Sequence, residues 1–251
     1  MTYIANSSII PIEIQQTPKR GRKEVIMKYS NETIRKYLTS ARAKIAKYGA
    51  DIENAHVCIS KGNRKIGCTM NVSISPIITC ANCHACLHDC YDIKANIQYG
   101  NVLNARTRNT ALFLEDPARY FAEIEEAINR RRRNKVFRWH VAGDIVNYAY
   151  FENMVAIALR HPDFVFWTYT KNYTIVNRWL SQNGGKLPAN LSVMFSKWAG
   201  VEMPNPYGMP TFEAIPETET REEFHCPGNC DVCLTEKRGC PYAESAWVYL
   251  H

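Results

Sequence analysis

No stretch of the 251 residues approaches the roughly 18 to 20 consecutive apolar residues that a membrane-spanning helix needs, so the expectation is a chain that works in water. A cleavable apolar leader is also lacking: the opening, MTYIANSSIIPIEIQQTPKRGRK, is polar, proline-interrupted and basic. Without such a leader the expected compartment is a reducing cytosol, where clustered thiols act as metal ligands rather than as disulfide partners. No internal repeat is present, which excludes a repeat array. Nor are staples needed, because a chain of this length buries a sizeable core by itself.

What the chain does have is cysteine, ten of them, and a net charge of +7 concentrated in a few places. Lys19–Lys23 (KRGRK), the segment from Arg35 to Lys47, and Arg130–Lys135 (RRRRNK) hold much of it. Such patches suit a polyanion, nucleic acid above all, because each neutralised phosphate releases counterions. The arginine run also has a second reading, as cations complementing the negative end of a helix.

The spacing of apolar residues divides the chain into three parts. Residues 1–55 read as an N-terminal extended arm followed by an amphipathic helix with Ile34, Tyr37, Leu38, Ala41, Ile45 and Tyr48 on one stripe and Gly49 as its stop. Residues 56–200 read as repeated β/α units. Strand candidates at 56–60 and 69–78 precede a helical stretch at 91–114 and a helix opened by Asp116 and Pro117. The strands 136–143, 165–170 and 191–196 then alternate with helices 148–160 and 173–180. Interleaving of this kind implies parallel pairing through right-handed crossovers, and pattern alone leaves open whether the sheet closes. Residues 201–251, rich in proline and then in cysteine, read as an appendage lying over the main domain.

Four cysteines fall within TCANCHACLHDCY: Cys80, Cys83, Cys86 and Cys90. The spacing CxxCxxCxxxC lets a short irregular loop fold several thiolates around one centre, and soft thiolate sets favour iron–sulfur or zinc over hard cations. Four more, Cys226, Cys230, Cys233 and Cys240, have the number and spacing to close a tetrahedral shell, as zinc or as a fully ligated auxiliary cluster. Cys58 and Cys68 read as ordinary thiols. A centre held by four protein sulfurs is closed, whereas one held by three keeps an iron open to a ligand.

Polar groups end each strand of the β/α region, where such architectures place function. His140, Gly143 and Asp144 follow one strand: the glycine would admit a ligand to the backbone, and the carboxylate would accept from ribose or amino groups or else cap the next helix. Tyr169, Thr170 and Lys171 end the next strand, the lysine suited to phosphate or carboxylate. Ser196 and Lys197 end the third. Three such ends on one rim make a pocket, with Trp139, Trp167, Tyr169 and Trp198 as core packing or as stacking surfaces for a base.

Several of these pieces together resemble the phage gene product 88 family: Gly62, Asn63 and Lys65 in GNRK; the loop ending Cys90–Tyr91; Arg138, His140, Gly143 and Asp144 in RWHVAGD; Tyr169, Thr170 and Lys171; and the cysteine-rich tail. That family in turn is similar, remotely, to radical S-adenosylmethionine (SAM) enzymes. The resemblance implies an α/β fold, a partial radical-SAM-like β/α barrel with a [4Fe–4S] cluster at its mouth. Its ligands would be Cys80, Cys86 and Cys90, leaving Cys83 as an addition of this chain, although the usual radical-SAM spacing CxxxCxxC occurs only at Cys226–Cys233. On this reading Asp144, Lys171 and His140 are the candidate catalytic groups, and Gly143, Asp144, Tyr169 and Ser196 border the cofactor, with SAM as cofactor and a nucleic acid or nucleotide as substrate. The alternative is a non-catalytic nucleic-acid-binding protein stabilised by zinc or iron–sulfur at both cysteine groups.

Overall fold

The computed structural model describes residues 28–250, so the expected N-terminal arm and the Lys19–Lys23 patch lie outside the described residues. The first helix, α1 (Asn31–Ala50), begins where Ser30 accepts a hydrogen bond from the Thr33 amide at 3.2 Å, an N-cap that satisfies an otherwise orphaned donor. Its apolar stripe buries Ile34, Tyr37, Leu38 and Ala41. After β1 (Met70–Val72) and the cysteine loop come α2 (Tyr91–Gln98) and α3 (Gly100–Glu115), two helices where the sequence suggests one. Helix α4 (Pro117–Asn129) starts as expected, with Asp116 accepting from the Arg119 amide at 3.0 Å and proline in the first turn.

The β/α alternation then runs β2 (Val136–Trp139), α5 (Tyr148–Arg160), β3 (Val165–Thr170), α6 (Tyr173–Gln182) and β4 (Leu191–Lys197). All strands pair in parallel, and the order β1-β2-β3-β4 follows the chain. The tail is no appendage. It contributes β5 (Thr211–Ile215), β6 (Phe224–His225), α7 (Cys230–Thr235) and β7 (Ser245–Tyr249), and these strands extend the same sheet to seven in the order β1-β2-β3-β4-β5-β7-β6. With β1 and β6 at opposite ends and not paired to one another, the sheet is open.

Strand alternation gives the sheet two different faces. Phe137 and Trp139 of β2, Phe166 of β3, and Leu191, Val193 and Phe195 of β4 point to the main core, where they meet Phe113, Phe121, Tyr150, Phe151 and Leu180 from the helices. Burying each such large apolar side chain is worth about 1.5 to 3 kcal/mol, so this core carries most of the driving force. Residues of opposite parity, Val136, Trp167, Tyr169, Met194 and Phe212, face the other side and pack on Cys230, Leu234 and Cys240 of the tail. Helix α1 is not a free extension either: it covers Ile77, Cys83, Leu87, Ile93 and Leu103 in a second cluster that backs the cysteine loop.

Among the described residues no helix is long and apolar enough to cross a membrane. The arginine run leaves α4 as exposed residues, except that Arg131 is half-buried and donates to the Cys68 carbonyl at 3.0 Å, while Arg130 pairs with Glu126.

Candidate metal centres

The first cysteine loop leaves the C-terminal end of β1, the end at which the parallel neighbours β2 and β3 also finish. Its approach is strained: Ile77, a buried β-branched residue, has φ of +69°. Such a conformation costs on the order of 1 to 3 kcal/mol and persists only where its surroundings impose it. Those surroundings are the Tyr37 hydroxyl donating to the Pro76 carbonyl at 3.1 Å and Thr79 donating to the Ser75 carbonyl at 2.7 Å.

Two short 3-10 turns, Cys83–Ala85 and Leu87–Asp89, then coil the loop tightly enough for its sulfurs to sense one another. Cys80 is pushed well above the usual thiol range, first by burial and then by the charges of Asp144, Cys90 and Cys86. Cys90 is pushed up to about 12 by burial and then by Cys86, offset by the backbone amides of Asp92 and Ile93 directed at it from the start of α2. Cys83 is pushed up to about 11 by burial and then by Cys86 alone among the thiols, and its side chain lies in the apolar cluster under α1. Cys80 thus feels the charges of Cys86 and Cys90, and Cys83 feels that of Cys86 while packing in the apolar cluster that Cys80 and Cys90 also touch.

Asp92 and Arg106 hold this loop against α3 as an ion pair whose side chains are 3% and 11% exposed, and Asn96 adds a hydrogen bond to the same carboxylate at 2.7 Å. Across the rim, Asn82 donates to the Lys171 carbonyl at 2.5 Å, and Tyr91 donates to the Val141 carbonyl. The loop is thus fastened to the ends of both β2 and β3.

The strand-end residues separate into different roles. Asp144 is buried, and its Oδ1 accepts from the Thr170 hydroxyl at 2.6 Å and its Oδ2 from the Lys171 amide at 2.9 Å. It ties the end of β2 to the end of β3 beside Cys80, its carboxyl pushed up by burial and pulled back by these donors. Capping of α5 falls instead to Asn147, which accepts from the Tyr150 amide at 2.8 Å. Gly143 has φ of +88°, and a Cβ there would stand 2.4 Å from Ile74 Cγ1 and 3.0 Å from Thr79 Oγ1. The space expected to admit a ligand is filled by the chain leading into the cysteine loop. Lys171 places its ammonium 5.3 Å from the Trp198 ring centroid on the rim, and Tyr173 donates to the Ser196 carbonyl at 2.5 Å.

His140, expected at the rim, turns into the helix-side core. Its Nε2 lies 2.9 Å from the Tyr150 hydroxyl and its Nδ1 3.4 Å from Thr168 Oγ1. Burial, and then the Arg138 charge, push its pKa down to about 3. An imidazole that stays neutral in the fold but charges near 6.5 when unfolded adds stability that is complete above that value and lost as pH falls from it toward 3. Between about pH 7 and about pH 5, urea titrations should therefore show the wild type losing about 2 kcal/mol more stability than His140→Asn. Parallel pH profiles would contradict this assignment.

The second group lies on the opposite face of the sheet from the main core. Cys226 is fixed by its amide to the Trp247 carbonyl at 2.8 Å, Cys230 by its amide to the Lys65 carbonyl at 3.0 Å, and Cys240 by its carbonyl accepting from Ser192 at 3.2 Å. The Gly62–Gly67 loop clasps α7: the Cys68 amide donates to Asp231 Oδ1 at 3.1 Å, and a Cβ on Gly67 would fall within 2.0 Å of that carboxylate. Cys226 is pulled down, first by the Cys240 thiol against it, and Cys240 is raised by the same contact. Cys230 is pushed up to about 11 by burial, opposed by the Arg138 charge. Tyr169, expected to border a cofactor at the rim, instead contacts Cys240 here and meets Phe212 edge to face at 4.8 Å.

All ten cysteines are free thiols, and among the described residues no three His, Cys, Asp or Glu side chains are already drawn into a metal-coordinating arrangement. The donor sets, four thiols in each group, are of the soft kind that zinc or iron–sulfur centres take.

A family profile described as gene product 88 matches residues 33–205, more than half of the 251. The chain belongs to the gene product 88 family. No curated protein and no solved structure matches it. The gene product 88 match takes in Cys80–Cys90, Asp144 and Lys171 and ends before Cys226, so the second cysteine group lies outside the matched segment. Sequence reasoning gave no role to Arg138, whose guanidinium lies over the Tyr169 ring on the tail side of the sheet. The signal was there: a lone arginine inside an apolar strand with its parity on the face opposite Phe137 and Trp139.

Proposed function

We propose that this gene product 88 protein is an iron–sulfur protein, radical-SAM-like in the placement of its first cysteine loop, that acts on a nucleic acid or nucleotide. The observation that carries the reading is the placement of the Cys80–Cys90 loop at the C-terminal ends of β1 and β2, fastened through Asn82 to Lys171 and so beside the buried Asp144. Functional groups of parallel β/α sheets lie at that edge, and three thiolates leave one iron of a cubane free for a small ligand. When bound, a [4Fe–4S] cluster with an open iron supplies the means to bind SAM and pass it an electron. The chain's own part is to hold the loop through Asn82 and Asp92, to keep Asp144 buried beside Cys80, and to present Lys171 and Trp198 at the rim to an anionic or aromatic substrate. The exposed arginines after α4 fit a polyanion.

The alternative, a non-catalytic protein with metal-stabilised cysteine groups, draws support from the second group, which sits inside the fold beneath the sheet rather than at its rim. Anaerobic purification followed by iron, sulfide and zinc counts, with electron paramagnetic resonance of the reduced protein with and without SAM, separates the two. A cluster signal that changes on adding SAM is the expected result. Zinc at both groups, with no iron, rejects the enzyme.

A further inference from the structure

We infer that Arg138 is the built-in counter-charge of an anionic tetrathiolate metal centre formed by Cys226, Cys230, Cys233 and Cys240. The inference rests on the reading of the tail cysteines as a metal site and adds what holds that site's charge.

Arg138 lies within β2, paired with Trp167 of β3, and by strand parity it faces the side of the sheet against which the tail packs. Its guanidinium stacks 4.8 Å from the Tyr169 ring centroid, and the groups around it are Tyr169, Tyr91, Cys230, Cys240 and Cys226. Among the described residues no carboxylate pairs with it, and its buried Nε has no hydrogen-bond partner. A guanidinium cannot shed its proton to escape this environment, so this half-buried one, with its Nε out of water, calls for a negative partner.

The thiols opposite can supply it. Four thiolates around a divalent cation form a dianion, as do four thiolates around an oxidised [4Fe–4S] core, the thiol protons leaving to solvent as the metal enters. Arginine suits this place better than lysine: its weakly hydrated plane lies flat on an aromatic ring while its edge offers donors to sulfur. Without metal, the guanidinium has the Tyr169 face but no paired carboxylate, and its unpartnered Nε is a liability to the fold. The Gly62–Gly67 loop closes the remaining side of the group, through the Cys230 amide and Asp231.

Opposite signs of effect make the test sharp. The full chain is prepared metal-free under reducing conditions as wild type, Arg138→Met, Arg138→Lys, and Cys230→Ser with Cys233→Ser. Zinc affinity is measured by chelator competition, the tail site being the one lost in the double cysteine variant. Arg138→Met should weaken zinc at that site by at least about tenfold, leave zinc at the first cysteine group unchanged, and raise the melting temperature of the metal-free protein. Arg138→Lys should keep most of the affinity. The same set loaded anaerobically with ferrous iron and sulfide tells a zinc shell from a cluster, and either carries the dianion. Equal affinity in Arg138→Met overturns the inference, as does an equal loss in Arg138→Lys, which would mean packing rather than charge. If the double cysteine variant binds as much metal as wild type, the tail is no metal site and the underlying reading falls, whatever Arg138 does.

Discussion

Single alanine replacements of Cys80, Cys86 or Cys90 should each strip the iron from the first cysteine group, while Cys83→Ala keeps it. The three thiols share one electrostatic neighbourhood, Cys80 with Cys86 and Cys90, and Cys90 with Cys86, so removing any one breaks the set. Cys83 feels the charge of Cys86 and is 8% exposed in a cluster with Ile34, Tyr37 and Leu38. Its sulfur fills apolar space under α1, and its loss should cost about 1 kcal/mol of packing rather than the centre. Iron and sulfide counts on anaerobically prepared variants decide the matter. Should Cys83→Ala empty the site as fully as Cys86→Ala, the shell has four protein sulfurs, no iron is open, and a SAM-dependent reaction at this centre is ruled out.

Gly143→Ala is expected to destabilise the protein by about 2 to 4 kcal/mol, a large effect for one methyl group. The position has φ of +88°, which an L side chain resists, and the added carbon would sit 2.4 Å from Ile74 Cγ1. Nothing nearby is a flexible side-chain end: Ile74 is fully buried between β1 and the main core, and its amide is held by the Ala142 carbonyl at 3.1 Å. Relief would have to come from moving Thr79, which adjoins Cys80, so the variant should also bind less iron. Gly100→Ala is the matched control, since a Cβ there meets nothing within 4 Å and helix propensity improves. Urea unfolding with an unchanged m-value measures both. A Gly143→Ala protein as stable as wild type would mean that the β2–α5 turn is not packed against the cysteine approach.

These two experiments probe different layers of one arrangement. Cysteine replacements test what the loop binds; the glycine replacement tests what holds the loop in place. The support is costly, with Ile77 strained at φ of +69° and a buried Asp92–Arg106 pair that is expensive to desolvate. Both features lie within the segment that folds around Cys80–Cys90 and nowhere near the opposite end of the sheet. Strain and buried charge kept beside the same short loop are the marks of a place whose geometry, not its stability, is what matters.

Much of the architecture was legible without coordinates. Helices α1, α4, α5 and α6 and strands β2, β3 and β4 follow from local signals: the apolar period, an aspartate before a proline, runs of β-branched and aromatic residues between helices. Both cysteine groups announced themselves by spacing. Other features depended on contacts between segments far apart in the chain. The tail's strands are short and proline-flanked, and β6 has only two residues, so no periodicity distinguishes them from loop; they become strands because β4 offers a parallel edge to pair with.

Side-chain role was the least readable layer. RWHVAGD reads as a run of rim residues, yet strand parity sends Trp139 to the helix side and Arg138 to the tail side, and the turn after β2 buries His140 against Tyr150 and Asp144 against Thr170. The linear order of amino acids determined which residue types are present, where helices and central strands form, and that thiols recur at ligand spacing, because those depend on interactions a few residues long. Only tertiary packing decided that the sheet stays open, that the tail completes it, that Cys83 packs under α1, and that Arg138 lies on the tail side of the sheet near Cys226, Cys230 and Cys240. Each of those outcomes is set by which distant surfaces exclude water together, and nothing local encodes that choice.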